Sequence, residues 1–405
     1  MPRWPLVVGL AVAVTALAWI LDHSSDLAPS AAAAGATAPA AEPRTLSGVL
    51  VTRARNTVED DNVTTSRHRF LLTAAGDERV VNRPRVDLGE DSAYRVATAT
   101  ETMVQHLLPD RSRYVIYKGQ GSGRPDSGPN DRVLRRADAA IVTGLAAAGD
   151  PRIEAVRYAG RPAWRLDTPS PINKLGGPGA SPDRIEYLVD RETGLPLRVR
   201  ETLRGRLLQE RRVTNLRTGV PAPASAFVLA VPRRPKPERL EFDDRYRRVT
   251  LARAAAIAGY APLVPAALGQ GYRRAETSVS RLTGRTGDEA ANPVSRNVVS
   301  TAYRRGFELV FVSTRCRRTR SPRCARTGGY PRWSDPIGAG ESTVVSEQPL
   351  RLSEGALAGS RARLVVDPQV TPHVWALTDD LVVTISGPLS GEQLSAAAAS
   401  LQPLP

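Results

Sequence analysis

Few side chains of this protein are of the kinds that carry out reactions, and their spacing assembles no reactive site. The 4 histidines, His23, His68, His106 and His373, stand far apart and share no ligand spacing with one another or with the 2 cysteines, so no metal site is expected. Cys316 and Cys324 flank a short arginine-rich loop; in an oxidising compartment, cysteines placed this way read as a disulfide. Gly119-Gln120-Gly121-Ser122-Gly123 lacks the Lys-Ser/Thr that a phosphate-binding loop requires. Neither HExxH nor GxSxG occurs, and such scattered histidines argue against a Ser-His-Asp set. The carboxylate pairs Asp243-Asp244 and Asp379-Asp380 fall beside a linker and in a turn, where solvated charge accounts for them. The expectation is a protein that binds without turnover, with no catalytic residue and no cofactor.

Whatever is bound is met outside the cytoplasm. Residues 5–21 (PLVVGLAVAVTALAWIL) carry no charge, follow Arg3 and precede Asp22 and Asp26. This is an export signal at the lower limit of about 17 residues that cross a hydrocarbon core, either a signal peptide or a thin anchor. The small residues that a signal peptidase needs cluster at 31–36, well past the apolar run. That favours a retained anchor over residues 1–21. Arg3 before the run and aspartates after it put the rest of the chain on the outer side. The expected location is the cell membrane, single-pass with extracytoplasmic domains, or the secreted or periplasmic space if the signal is cleaved. Residues 22–44 are mostly Ala, Pro and Ser and read as a flexible tether. The net charge of +15 is spread through every segment, which together with export argues against nucleic acid. Anionic lipid beside the anchor is the functional alternative to a compositional origin.

The 405 residues suit two domains. From 45 to about 232 short runs alternate apolar and polar residues, as at 48–51, 69–72 and 113–117, and read as strands. One helix interrupts them at 131–148, where the apolar spacing is helical and Gly149 and Pro151 follow. Hairpins follow at 154–167, turning at Ala159-Gly160-Arg161-Pro162, and at 185–201, turning at Asp190-Arg191-Glu192-Thr193-Gly194; a further strand spans 207–215. The proline-rich segment 233–243 reads as a linker. In 244–405 a short helix at 250–257, strands at 298–303, 307–313, 362–366, 374–377 and 381–385, and a last helix capped by Ser390 and Gln393 make a smaller α+β domain. The loop 315–326 holds six arginines around the expected disulfide, either a dock for an acidic partner or anionic lipid or a solvated hairpin tip.

The run Tyr187-Leu188-Val189-Asp190-Arg191-Glu192-Thr193-Gly194-Leu195-Pro196-Leu197-Arg198, with Gly160 to Leu166 before it and Phe227 near the end of the domain, resembles the LolA-like lipoprotein-carrier superfamily, which includes MucB/RseB-type regulators of envelope-stress sigma factors. The segment 258–265 with Gly271-Tyr272 and the close of the chain resembles a small envelope domain of unknown function. The resemblance implies a mainly β fold: an incomplete antiparallel β-barrel with a helical lid over 45–232, enclosing an apolar cavity for acyl chains. It implies lipid or lipoprotein acyl chains as ligand and, as an alternative, an anti-sigma factor or other envelope protein as partner. The residues expected to bind the chain are Trp164, Leu166, Tyr187, Val189, Leu195, Leu197 and Val199. Strand alternation puts Trp164 beside Leu166, and Leu195 beside Leu197 and Val199; ordinary core filling is the competing account of each.

Overall fold

The structure is a computed structural model that describes residues 45–55, 62–74, 77–82, 91–98, 101–107, 114–120, 136–170, 182–229, 236, 238–243, 246–269, 271–281, 297–316, 335, 337, 347–368 and 370–404. The expected anchor and tether lie outside the described residues, as does the side-chain pairing of Cys316 with Cys324. Among the described residues no helix is long and apolar enough to cross a membrane.

The first unit is one sheet of 12 strands. Six strands lead in: β1 (Thr45–Arg55), β2 (Val63–Thr73), β3 (Glu78–Asn82), β4 (Asp91–Thr98), β5 (Glu101–Leu107) and β6 (Tyr114–Gln120). Helix α1 (Arg136–Ala147) crosses to a second meander, β7 (Glu154–Tyr158), β8 (Arg161–Pro169), β9 (Arg184–Asp190), β10 (Pro196–Leu203) and β11 (Arg206–Thr218). The last of these returns to pair with β1, so the middle of the sheet joins the two ends of the unit. Two hairpins turn on residue pairs with positive φ, Ala159 (49°) with Gly160 (81°) and Arg204 (49°) with Gly205 (79°). Such two-residue turns match the right-handed twist of the flanking strands.

Two expectations change here. The linker at 233–243 is in its second half a strand, β12 (Glu238–Asp243), which pairs with β6 as the one parallel pair of this sheet. Leaving the first unit, the chain finds the unpaired groups of β6 and closes that edge. The sheet order runs from β12 to β7, and each of these has a single neighbour. The half-barrel is therefore an open sheet.

The second unit is a sheet of 8 strands in the order β13 (Tyr246–Arg248), β15 (Arg273–Arg281), β16 (Asn297–Arg305), β17 (Glu308–Cys316), β21 (Leu381–Ser386), β20 (His373–Leu377), β19 (Arg361–Val365) and β18 (Glu347–Leu350). A small ladder of β14 (Leu263–Pro265) and β22 (Leu401–Pro403) stands beside it. Helix α2 (Leu251–Ala258) starts on Thr250, whose hydroxyl accepts from Arg253 N, and stops at Gly259 with φ 77°. Helix α3 (Gly391–Ala399) carries the full capping box: Ser390 accepts from Gln393 N, and Gln393 from Ser390 N. It buries Leu394, Ala397 and Ala398 against Val310, Val374, Val383 and Ile385.

Candidate functional site

Pairing registers assign each side chain of the first sheet to a face. On the inner face, which carries α1, one row runs Leu166–Tyr187–Val199–Arg211–Thr52–Ser66 across β8, β9, β10, β11, β1 and β2. It is apolar for three strands and polar for the next three. A neighbouring row holds Val213, Leu50 and His68 on β11, β1 and β2.

Two apolar clusters result. The first lies under α1, where Ala139, Ile141, Val142 and Leu145 meet Leu166, Ile185, Tyr187, Val189 and Val199, with Trp164 packed at the margin. Leu145, Leu166 and Val189 are wholly buried. The second gathers Leu46, Leu50, Phe70, Leu72, Val80, Val213 and Leu195, and its remaining member is Phe307, from the hairpin between β16 and β17 of the other unit. Sequence reasoning missed all of this second surface except Leu195. The signal was present as period-two alternation, Leu46/Gly48/Leu50 and His68/Phe70/Leu72, in strands noticed as strands only.

Five of the seven expected binding residues, Trp164, Leu166, Tyr187, Val189 and Val199, thus come together beneath α1. Leu195, Leu197 and Val199 do not share a face. A bulge between Pro196 and Arg198 sets one extra residue against β9, and one extra residue reverses the side of its neighbours. Leu197 turns to the outer face beside Ala163 and Leu188. Leu195 goes to the Phe307 cluster.

The turn that carries the family likeness is a lock. Asp190 is fully buried and accepts from Arg161 Nε (2.5 Å) and Nη2 (3.1 Å), and from Thr193 N (2.8 Å) and Oγ1 (2.9 Å). Gly194, at φ 68°, returns its N–H to Asp190 O at 2.9 Å. Burial pushes the Asp190 carboxyl up, but the Arg161 and Thr193 donors outweigh it and hold the group below the ordinary carboxylate value. The motif Asp-x-x-Thr-Gly therefore aims the β9–β10 turn through its buried Asp190 and Thr193. The other landmark, Phe227, is 1% exposed in a short 3-10 turn packed on β3 and β4.

Polar groups on the inner face are few. Arg211 Nη2 meets Glu201 at 3.4 Å, and His68 Nε2 meets Ser66 Oγ at 3.0 Å. Thr52 Oγ1 and Arg211 Nε are buried without a hydrogen-bond partner, at directly paired positions. In the second unit the buried His373 has Thr371 O 2.7 Å from Nδ1 and the Asp335 carboxylate 2.9 Å from Nε2, so both ring nitrogens are engaged. The outer face is of another kind. Glu154, Arg165, Glu186, Arg198, Glu210 and Arg53 alternate in sign over six adjacent strands, with N–O distances of 3.2, 2.9, 3.4, 2.9 and 3.9 Å.

Helix α1 and the β9–β10 turn both approach the second unit. A Cβ at Gly144 of α1 would lie 2.6 Å from Pro372 Cγ and 3.0 Å from Leu389 O, and Val366 packs against the α1 cluster. A Cβ at Gly194 would lie 3.4 Å from Glu308 Cγ.

No known protein family matches the sequence, and no curated protein does. Among solved structures the chain is similar to MucB, at 15% identity over 98% of this chain and 99% of that one, with a TM-score of 0.25. The complex of Pseudomonas aeruginosa MucA and MucB gives 16% identity, 96% and 99% coverage and a TM-score of 0.25. A putative outer membrane lipoprotein-sorting protein domain from Vibrio parahaemolyticus gives 11% identity over 46% of this chain and 89% of that one, with a TM-score of 0.17. At such scores none of these likenesses bears on what this chain binds, and the case for function rests on its own residues.

Proposed function

We propose that this protein is a non-catalytic, extracytoplasmic binder of lipid or lipoprotein acyl chains, held at the membrane by residues 5–21. The observation that carries the reading is the inner face of the first sheet. Two adjoining apolar surfaces, seven strands wide from β3 to β8, are covered there by one helix and one phenylalanine. An acyl chain suits such a surface because each buried CH2 contributes about 0.8 kcal/mol and no directional partner is needed. Both nitrogens of His373 are engaged, so that imidazole has no free position from which to activate a nucleophile.

The test is native mass spectrometry with organic extraction on the exported protein. A co-purifying lipid or acylated peptide is the expected result. An empty protein that also takes up no fluorescent fatty acid would leave protein recognition as its work. A second reading, a sensor that grips an anti-sigma factor or another envelope protein, is favoured by the placement of α1 between the first sheet and Pro372 and Leu389. A ligand lifting α1 would shift the second unit, as coupling between two sites requires. A gene beside a sigma-factor and anti-sigma pair, with retention of the anti-sigma factor's outer segment by the purified protein, is what this second reading expects.

A further inference from the structure

The Phe307 surface has two properties that ordinary packing between domains does not require. Its cover comes from a hairpin tip. Gly306 and Phe307 join β16 to β17, a place where exposed polar residues are the rule, and of the neighbours Arg304, Arg305 and Glu308, all polar, Arg305 is exposed and the other two half-buried. Glu308 of the tip is held within its own unit, accepting from Arg305 at 2.7 Å and from Tyr272 at 3.0 Å. Phe307, only 5% exposed, inserts its ring among Leu46, Leu50, Phe70, Val80 and Val213.

The second property is polar. One pair along from Leu50 and Val213 on the same face, Thr52 faces Arg211, and there Thr52 Oγ1 and Arg211 Nε are buried without an acceptor or donor. Buried polar atoms in native proteins are nearly always satisfied, so a facing pair of orphans calls for an explanation. Glu201 is 3.4 Å from Arg211 Nη2 and does not reach Nε. An anionic oxygen placed between them would accept from Nε–H and from the threonine hydroxyl together, a charge-assisted arrangement.

We propose that β3, β2, β1 and β11 form a site for an anionic amphiphile with a single acyl chain, its head at Arg211 and Thr52 and its chain where the Phe307 ring now lies. This rests on the acyl-binding reading and makes it specific. Phe307 is an intramolecular competitor, and an entering chain displaces it and loosens the second unit from the first. Affinity is lowered by the fraction of molecules in which the ring is seated.

The experiment uses the full chain, exported and purified in mild detergent, with a palmitate carrying a photoactivatable diazirine and with its uncharged alcohol counterpart. After irradiation, capture is quantified and mapped by peptide. Phe307→Ala is expected to raise palmitate capture on β1, β2 and β11 by about tenfold or more over wild type. Phe307→Leu keeps an apolar filler and is expected to give a smaller rise, which misfolding could not produce. Arg211→Gln is expected to reduce capture of palmitate and leave that of the alcohol unchanged. If wild type captures the probe but Phe307→Ala captures no more, or capture maps only to α1 and its partners, the competitor idea is overturned while acyl binding stands. If neither protein captures either probe, both this proposal and the acyl-binding reading fall.

Discussion

The two halves of the inner face are covered in opposite ways. Under α1 the cover belongs to the same unit as the sheet, and Leu145 on the helix and Leu166 and Val189 beneath it have no exposed surface. Over β1, β2 and β3 the cover is one ring from the other unit. A helix buries many side chains through one continuous backbone and leaves only by local unfolding. A hairpin tip leaves by rigid-body movement. Similar apolar surfaces can thus be a core in one half and a closed site in the other, according to whether the cover can depart intact.

Four changes break or sharpen that contrast. Asp190→Ala removes the acceptor that holds the turn between the two halves and leaves Arg161 and Thr193 without it. We expect a loss of about 3–5 kcal/mol in urea unfolding. Because the folded carboxyl lies below its ordinary value, this stabilisation is full above the unfolded value of about 3.9. It is lost as pH falls through the lower folded value, so the gap between wild type and variant should close in acid. Leu166→Ala empties a wholly buried position under α1 and should cost about 2–5 kcal/mol in urea unfolding. It should leave probe capture at the Phe307 surface unchanged; a rise there would mean the two halves are one site. Gly144→Ala gains about 1 kcal/mol of helix propensity but drives its Cβ against Pro372 and Leu389. A net loss of about 1–3 kcal/mol is expected, with faster proteolysis of the chain between the units. The smallest effect belongs to the outer face, where Arg165 is 40% exposed in the charge ladder. Arg165→Ala should change stability by about 0.5 kcal/mol or less, falling further in salt.

Much of the local architecture was legible in the residues. Ala159-Gly160 marked its hairpin, Ser390 and Gln393 their capping box, and Gly149 the end of α1, because each signal lies within a few residues of what it specifies. Positions under α1 were found for the same reason, since β8 and β9 alternate without interruption. Leu197 was misassigned because one extra residue at a bulge reverses a face, and nothing in the composition of Leu195-Pro196-Leu197 marks it. The segment 233–243 read as a linker because its prolines and charges are linker-like; pairing with β6 overrode that local preference at 238–243.

By itself the sequence determined the mainly β character, helices α1, α2 and α3, part of the strands, several turns and caps, and the excess of apolar over reactive side chains. These depend on backbone preferences and on periods of two and 3.6, which act at short range. Only the tertiary structure decided that β11 returns to β1, that Arg211 faces Thr52, and that a phenylalanine at a hairpin tip lies inside the other unit. Those are contacts between residues 90 to more than 250 positions apart along the chain; closing such loops costs entropy that local signals do not encode, and what repays it is burial of apolar surface from both partners.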